Sequence, residues 1–422
     1  MWFSMAAALA QQGPAAPEGR AAAPAVEVTP GVHVHVRPEV RVNPTFDATA
    51  ENSAVSMTQA ARGSLAARKG VFSALVQLQS VYVWGARPGS TSTAPEVFAH
   101  QGYIEVGDSE MWVRVGRQQV HMLNGYYLSA APWNVAGRSF DALRGHWQNS
   151  EVELDAIGIV ETPPMPASDT LDNPTLGNTL GALFATFHPS DDIEPTVWLM
   201  GRGGGPTADA PDRSALWIGP GGRFFATPGD TTIDLNGMGI LGSDSGVPIR
   251  AYSIIARIDQ QIGAFGAALI FDQSSGHACE SEPVDGCVTD VNRNFDLGYG
   301  RNHYLRGNAD QVAGVNARDI GVELNSSPRD DLKPILQAHL FQLTNPGGAW
   351  IRNGGTLQGV GWIRGNDDPN LGVEVDAMIA YDPMKGMQID GGYCFFQPIG
   401  AGAAIAGTDP MHYLFVRNRF TF

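Results

Sequence analysis

The chain ends Met411-His412-Tyr413-Leu414-Phe415-Val416-Arg417-Asn418-Arg419-Phe420-Thr421-Phe422. In an extended strand Leu414, Val416, Phe420 and Phe422 share one face, and Arg417, Arg419 and Thr421 share the other. An apolar face against lipid and a charged face toward water is what a strand of a transmembrane barrel requires. Gly31 to Asn43 repeats the pattern. Val32, Val34, Val36, Val40 and Val42 alternate with His33, His35, Arg37, Glu39 and Arg41, interrupted only by Pro38.

A soluble sandwich strand alternates in the same way, so the spacing of the strands has to decide. Beginning with 31–43, the same template places strands near 56–68, 71–84, 97–107, 110–120, 139–149, 151–160, 179–188, 194–201, 213–220, 230–240, 249–259, 262–272, 316–325, 331–343, 370–381, 386–397 and 411–422. That is about eighteen, an even number as in bacterial single-chain barrels. Tight links fall at Lys69-Gly70, Gly107 to Ser109, Ser150, Asp259 to Gln261, Ser326 to Asp330 and Asp382 to Lys385. Long ones fall at 121–138, 161–178, 273–315 and 344–369. Short turns at one end and long loops at the other define an all-β, transmembrane antiparallel barrel with its short turns in the periplasm. Tyr82 and Trp84, like Phe420 and Phe422, lie in phase with the apolar face, where aromatic residues meet a lipid boundary.

Composition agrees. The 422 residues include 51 glycines and 28 prolines, and only 17% are charged. No stretch approaches the ~20 consecutive apolar residues of a spanning helix. A net charge of -16 argues against a nucleic-acid partner, which needs a basic face. Residues 1–10 read as part of a signal peptide, with Ala8-Leu9-Ala10 as a small-x-small site and no basic n-region. Residues 11–30 read as a mobile periplasmic lead-in, leaving 31–422 as one barrel domain. Cys279 and Cys287 lie close together in a polar stretch and are a disulfide candidate in an oxidising compartment. Cys394 has no evident partner.

Inward phasing assigns the basic residues Arg37, Arg41, Arg62, Arg114, Arg257, Lys333, Arg417 and Arg419 to the lumen. The acidic residues are Glu39, Glu151, Glu153, Asp155, Asp234, Asp319, Glu323, Glu374, Asp376 and Asp390. A charge on the lipid face costs ~2–4 kcal/mol near the midplane, which supports the inward assignment. The lumen is therefore expected to be strongly charged in both signs, with some of these groups pairing across strands. Only three of the 27 basic residues are lysine, at 69, 333 and 385. Arginine grips carboxylates in a bidentate way, which suits an acidic sugar, although genomic base composition gives the same bias.

Several segments resemble the alginate export family of outer-membrane porins. They include Val115-Gly116-Arg117-Gln118, Trp133, and Gly137-Arg138-Ser139-Phe140-Asp141-Ala142-Leu143-Arg144. Ile249-Arg250-Ala251, Ser274-Ser275-Gly276, Asn294-Phe295-Asp296, Tyr299-Gly300, His303-Tyr304 and Gly307-Asn308-Ala309-Asp310 follow. Asn316-Ala317-Arg318-Asp319, His339 with Phe341, and Leu371 to Asp376 continue in order. The terminal phenylalanine is similar to the signal recognised for outer-membrane insertion. The resemblance implies a monomeric eighteen-stranded barrel through which a secreted polysaccharide crosses the outer membrane. It implies selectivity residues Arg117, Arg138, Asp141, Arg144, Arg250, Arg318, Asp319, Glu374 and Asp376. Strand phase agrees for Asp319, Glu374 and Asp376, but puts Arg117, Arg250 and Arg318 on the apolar phase near strand ends. A bulge or a rim position is needed there. With Arg114, Arg257, Glu323, His339, Arg417 and Arg419 these complete the pore-lining set. Scarce lysine and an acidic total depart from a path attractive to a polyuronate.

The expected activity is passive threading of a polymer through a charged lumen, with periplasmic synthesis or export machinery and membrane lipid as partners. Trp133, Tyr299 and Tyr304 are candidates to stack on sugars or to pack loops. The alternative is a passive porin for small anionic or sugar solutes. No Gly-x-Ser-x-Gly or His-Glu-x-x-His motif points to an enzyme, and no cofactor is implied. A surface adhesin built on the long loops is a further reading. Asp290, Asn292, Asn294 and Asp296 have the early spacing of a calcium loop. Phe295 and Arg301 occupy positions that need glycine and glutamate, so no metal is expected there.

Overall fold

The computed structural model describes residues 25–49, 52–84, 96–161, 178–205, 214–279, 290–295, 299, 300, 303, 305–353 and 357–422. Its strands are β1 (Glu27–Val42), β2 (Ala54–Lys69), β3 (Phe72–Trp84), β4 (Glu96–Gly107), β5 (Met111–Gln118), β6 (Phe140–Gln148), β7 (Val152–Val160), β8 (Thr179–Phe187), β9 (Ile193–Gly204) and β10 (Ala215–Ala226). There follow β11 (Thr231–Asp244), β12 (Val247–Ile262), β13 (Phe265–Ser274), β14 (Ala317–Ser326), β15 (Leu332–Leu343), β16 (Trp350–Asn353), β17 (Leu357–Gly361), β18 (Asn370–Met384), β19 (Met387–Pro398) and β20 (Met411–Thr421). All except β16 and β17 form one 18-stranded sheet in which each strand pairs with its sequence neighbours. It closes where β1 meets β20, from His33↔Thr421 to Val42↔His412. Val32 N–H donates to the Phe422 carbonyl at 3.1 Å, and Phe422 N–H returns to Val32 at 2.9 Å. Hydrocarbon offers no partner for an unpaired amide, so only a closed sheet is stable there.

Every strand expected from alternation is present. β1 begins at Glu27, so residues 27–30 belong to the barrel rather than to the lead-in. β10 extends six residues past the expected end at 220, to Ala226. Pro220 and the glycines around it read as a stop, yet Gly219↔Met200 to Gly222↔Val197 stay in register with β9. The β12–β13 turn sits at Gly263, φ +60°, rather than at 259–261, because only glycine enters that backbone region freely. One link at the long-loop end is also tight: Ser245 and Gly246, at φ +51° and +84°, form a two-residue hairpin turn between β11 and β12. Alternation did not reveal the β16–β17 hairpin or the short helix α1 (Gly400–Ala406).

The outer surface is apolar. Val76, Ile104, Val113, Leu143, Leu183, Leu199, Ile254, Leu269, Val322 and Leu414 are exposed on it. Phe72, Trp147, Phe187, Phe224, Phe265 and Phe422 are exposed near the short-turn ends of their strands. Their positions match an aromatic girdle at one lipid boundary. Among the described residues no helix is long and apolar enough to cross a membrane; the strands do so.

Leu183, in the middle of β8, is 58% exposed. Leu183→Arg should destabilise the barrel in lipid vesicles by about 2–4 kcal/mol, read as a lower urea midpoint. An unchanged midpoint would place this face in water.

Candidate functional site

The described parts of the two loops that follow β5 and β13, residues 119–139 and, of the second, 275–279, 290–295, 299, 300, 303 and 305–316, pack inside the barrel. Tyr126, Tyr127, Leu128, Trp133, Ala309, Val312 and Ala313 are buried. What receives them is apolar. Ile157, Ile159, Leu180, Phe184, Trp198, Met200, Trp217, Met238, Ile240 and Ile255 point inward from β7 to β12 and pack with Tyr126, Tyr127, Leu128 and Phe295. A second cluster joins Trp133, Ala309 and Val312 to Phe341, Trp350, Phe396, Tyr413 and Phe415. The expectation of a lumen charged throughout is therefore corrected: beneath the loops part of the wall is greasy, because it is a packing surface rather than a water channel.

The loops lock each other. Ser129 N–H donates to the Tyr299 carbonyl at 2.9 Å, and Arg138 Nη1 donates to the same oxygen at 2.7 Å. Trp133 stacks on His303 with ring centroids 3.6 Å apart. Arg37 lies 4.0 Å over the Trp133 ring and donates to the Trp133 carbonyl at 2.7 Å. Burial holds His303 down to about 4, the pull of Asp310 notwithstanding, so the ring stays neutral at pH 7. Trp133 is thus a packing residue between loops, and Tyr299 meets Phe140 edge to face. Tyr304 lies outside the described residues.

The second loop is pinned to the wall by its polar backbone. Asn308 N–H and Ala309 N–H donate to Glu374 Oε1 at 2.6 and 2.8 Å, and the Asn308 amide donates to Asp376 at 2.8 Å. Gly307 makes this possible: its φ is +68°, and a Cβ there would collide with the Glu374 carboxyl. Arg306 pairs with Asp272 at 2.6 Å, and Arg41 with Asp310 at 3.7 Å. Asp319 and His339, both buried, meet at 2.9 Å. Buried charges of this kind stand only when paired or hydrogen-bonded.

Toward the short-turn end, wall charges pair across strands, except for Arg257 and Asp259, which share β12. Arg114 meets Glu105 at 2.5 Å, Arg144 meets Asp155 at 2.7 Å, and Arg257 meets Asp259 at 2.6 Å and Glu323 at 3.1 Å. Arg223 meets Asp234 at 2.7 Å, and Arg417 and Arg419 share Asp390 at 2.7 and 3.0 Å. Arg62 differs. Its guanidinium contacts Gln79 and the Ala136 carbonyl, with no carboxylate partner among the described residues.

The structure thus gathers Arg114, Arg144, Arg257, Asp319, Glu323, His339, Glu374, Asp376, Arg417 and Arg419 on the inner wall, and Arg138 on an inserted loop. Four expected pore residues are corrected. Arg117 and Asp141, 45% and 58% exposed, pair at 3.2 Å on the outer face near the long-loop end. Arg250 is exposed on the same face, and Arg318 lies there between Gln273 and Gln342. No bulge re-aims them; strand phase keeps them outward, at the polar rim of the lipid-facing band. Sequence reading missed Arg306, Asp272, Asn308 and Gln337, whose side-chain oxygen accepts from Asn308 Nδ2 at 2.9 Å. Gly307-Asn308, a turn dipeptide inside a long loop, was the available signal. Cys279 is buried and Cys287 lies outside the described residues, as does Asp296 of the calcium-like spacing.

Gly307→Ala should release the second loop, at a backbone cost of about 1–3 kcal/mol before the collision with Glu374. Limited proteolysis should then cut near 290–312 while the barrel keeps its heat-modifiable migration. Unchanged protection would show that Glu374 does not hold the loop.

Among curated proteins no sequence matches this chain. Among solved structures it is similar to OccD3 (OpdP) of Pseudomonas aeruginosa, with TM-score 0.60, 13% identity, and coverage of 93% of this chain and 91% of that one. It is also similar to OpdK of the same organism, solved with vanillate, with TM-score 0.61, 9% identity, and coverage of 93% and 98%. The outer membrane protein OprD, also from Pseudomonas aeruginosa, gives TM-score 0.58, 10% identity, and coverage of 94% and 93%. At such identities these likenesses speak for the fold alone. The sequence profile for alginate export matches residues 51–417, nearly the whole barrel. An outer-membrane β-barrel with a hydrogen-bonded seam, an apolar exterior and a charged inner wall, the chain belongs to the alginate export family.

Proposed function

We propose that this outer-membrane channel conducts a carboxylated saccharide, moving outward as a secreted polysaccharide, without chemistry. The observation that carries the reading is the inner wall of β20, β1 and β2. Arg417 and Arg419 both pair with Asp390, and among the described residues Arg62 meets the neutral oxygens of Gln79 and Ala136. A sugar carboxylate can take a bidentate hold on such guanidinium groups, in competition with Asp390. Each hold is weak enough to release because the wall already supplies a competing acid. Family membership supports the polymeric cargo, a monomeric barrel, and periplasmic synthesis or export machinery as the partner at the short turns.

A second reading, passage of small anionic or sugar solutes, is favoured by the two loops. Their described parts pack apolar side chains against the inner wall, in the path a polymer would take. Single-channel recordings separate the two. Oligouronates should block the current where monomeric acids at the same concentration do not. Arg62→Ala should weaken that block roughly tenfold, since a charged hydrogen bond contributes ~1.5–3 kcal/mol. Block by monomeric acids alone would favour the small-solute reading.

We also propose that Cys279 and Cys287 form a disulfide that braces the second loop. Thiol titration of the denatured, unreduced protein should then find only Cys394 of the three cysteines. Three reactive thiols would refute the bridge.

A further inference from the structure

His146 on β6 and Glu153 and Asp155 on β7 face the lumen near the short-turn end, away from the inserted loops. Register brings them together, with His146 opposite Asp155 and Gln148 opposite Glu153. Among the described residues, their donor atoms all lie within 4.8 Å of one another. His146 Nδ1 is 3.4 Å from Asp155 Oδ2 and 3.7 Å from Glu153 Oε1. These are long for hydrogen bonds to a ring nitrogen. They suit a shared cation better: in a tetrahedron with metal–ligand distances of about 2.1 Å, neighbouring donors sit about 3.4 Å apart.

We propose that His146, Glu153 and Asp155 form a binding site for a divalent first-row metal ion of the zinc type, open to the lumen at its fourth position. One imidazole and two carboxylates, at donor spacings this short, match zinc rather than calcium. Calcium takes six to eight oxygens at about 2.3–2.6 Å. The surroundings are built to hold the ligands. Trp112 stacks on His146, with centroids 5.1 Å apart and planes 17° apart, which fixes the ring. Arg144 Nε and Nη2 both engage Asp155 Oδ1, at 2.8 and 2.7 Å, leaving Oδ2 turned to the imidazole. That second contact orients the ligating carboxylate and fixes which oxygen meets the metal. Glu153, whose side chain is 35% exposed, is the side from which an ion enters; Asp155, at 2%, forms the floor. Bound metal would cancel the two carboxylate charges on this wall and so raise the share of current carried by anions.

The test is calorimetric titration of zinc chloride into the untagged full chain in detergent, with magnesium chloride as the comparison. The expected result is saturable uptake of one zinc per chain, no heat from magnesium, loss of the zinc signal in His146→Ala, and a weaker signal in Glu153→Gln. Heat-modifiable migration of both variants reports that the barrel is intact, and Glu153→Gln, at the half-exposed ligand, keeps the test decisive should His146→Ala misfold. Absence of saturable uptake overturns the proposal. So does uptake that persists in both variants, which would mark an adventitious ion only.

Discussion

Everything in this molecule depends on the seam between its first and last strands. Inside a bilayer each unpaired amide or carbonyl costs several kcal/mol, and a sheet with free edges would expose two rows of them. The β1–β20 ladder removes both rows at once, with the Val32–Phe422 exchange at its short-turn end. The closed sheet then forces side chains into two sets, because successive residues point to opposite faces. One set meets lipid. The other meets either water or whatever the chain folds into its own interior.

This protein puts its own loops into that interior, and the inner wall is divided accordingly. Where the described parts of the two loops pack, the wall from β7 to β12 is apolar, and the loops bury Tyr127, Leu128 and Phe295 against Trp198 and Met200. Burial of several such side chains, each worth roughly 1.5–3 kcal/mol, makes the inserted loops part of the core rather than mobile lids. Where the wall faces open space, charges recur and pair from strand to strand. The described interior thus divides into a packed apolar zone and a zone of paired charges.

Charge pairing also explains how an acidic chain lines an inner wall with so many arginines. Arg114, Arg144 and Arg223 meet a carboxylate on the next strand and Arg257 one on its own strand, so they stiffen the wall more than they attract cargo. Attraction falls to the strip where carboxylates are outnumbered, on β20, β1 and β2. Four further polar residues, Arg117, Asp141, Arg250 and Arg318, lie outside at the rim, where the cost of facing outward falls to about 0–1 kcal/mol.

The sequence alone determined the barrel. A period of two in Val32 to Val42 and in Leu414 to Phe422, sorted loop lengths and the absence of a spanning helix specify strands, closure and inward phase. These are local properties, set by which face of each strand meets lipid. Phase likewise placed Arg117 and Arg318 outward, against the roles implied by family resemblance. Tertiary structure decided what fills the lumen. Runs such as Ala156 to Val160 and Leu180 to Phe184 lose their alternation because both faces are apolar, and nothing within them says what covers the inner one. The covering residues lie in other, distant loops with no period to read, and Asn308 reaches Glu374 across 66 residues. Contacts that distant are selected by shape and hydrogen-bond complementarity in three dimensions, which strand periodicity does not encode.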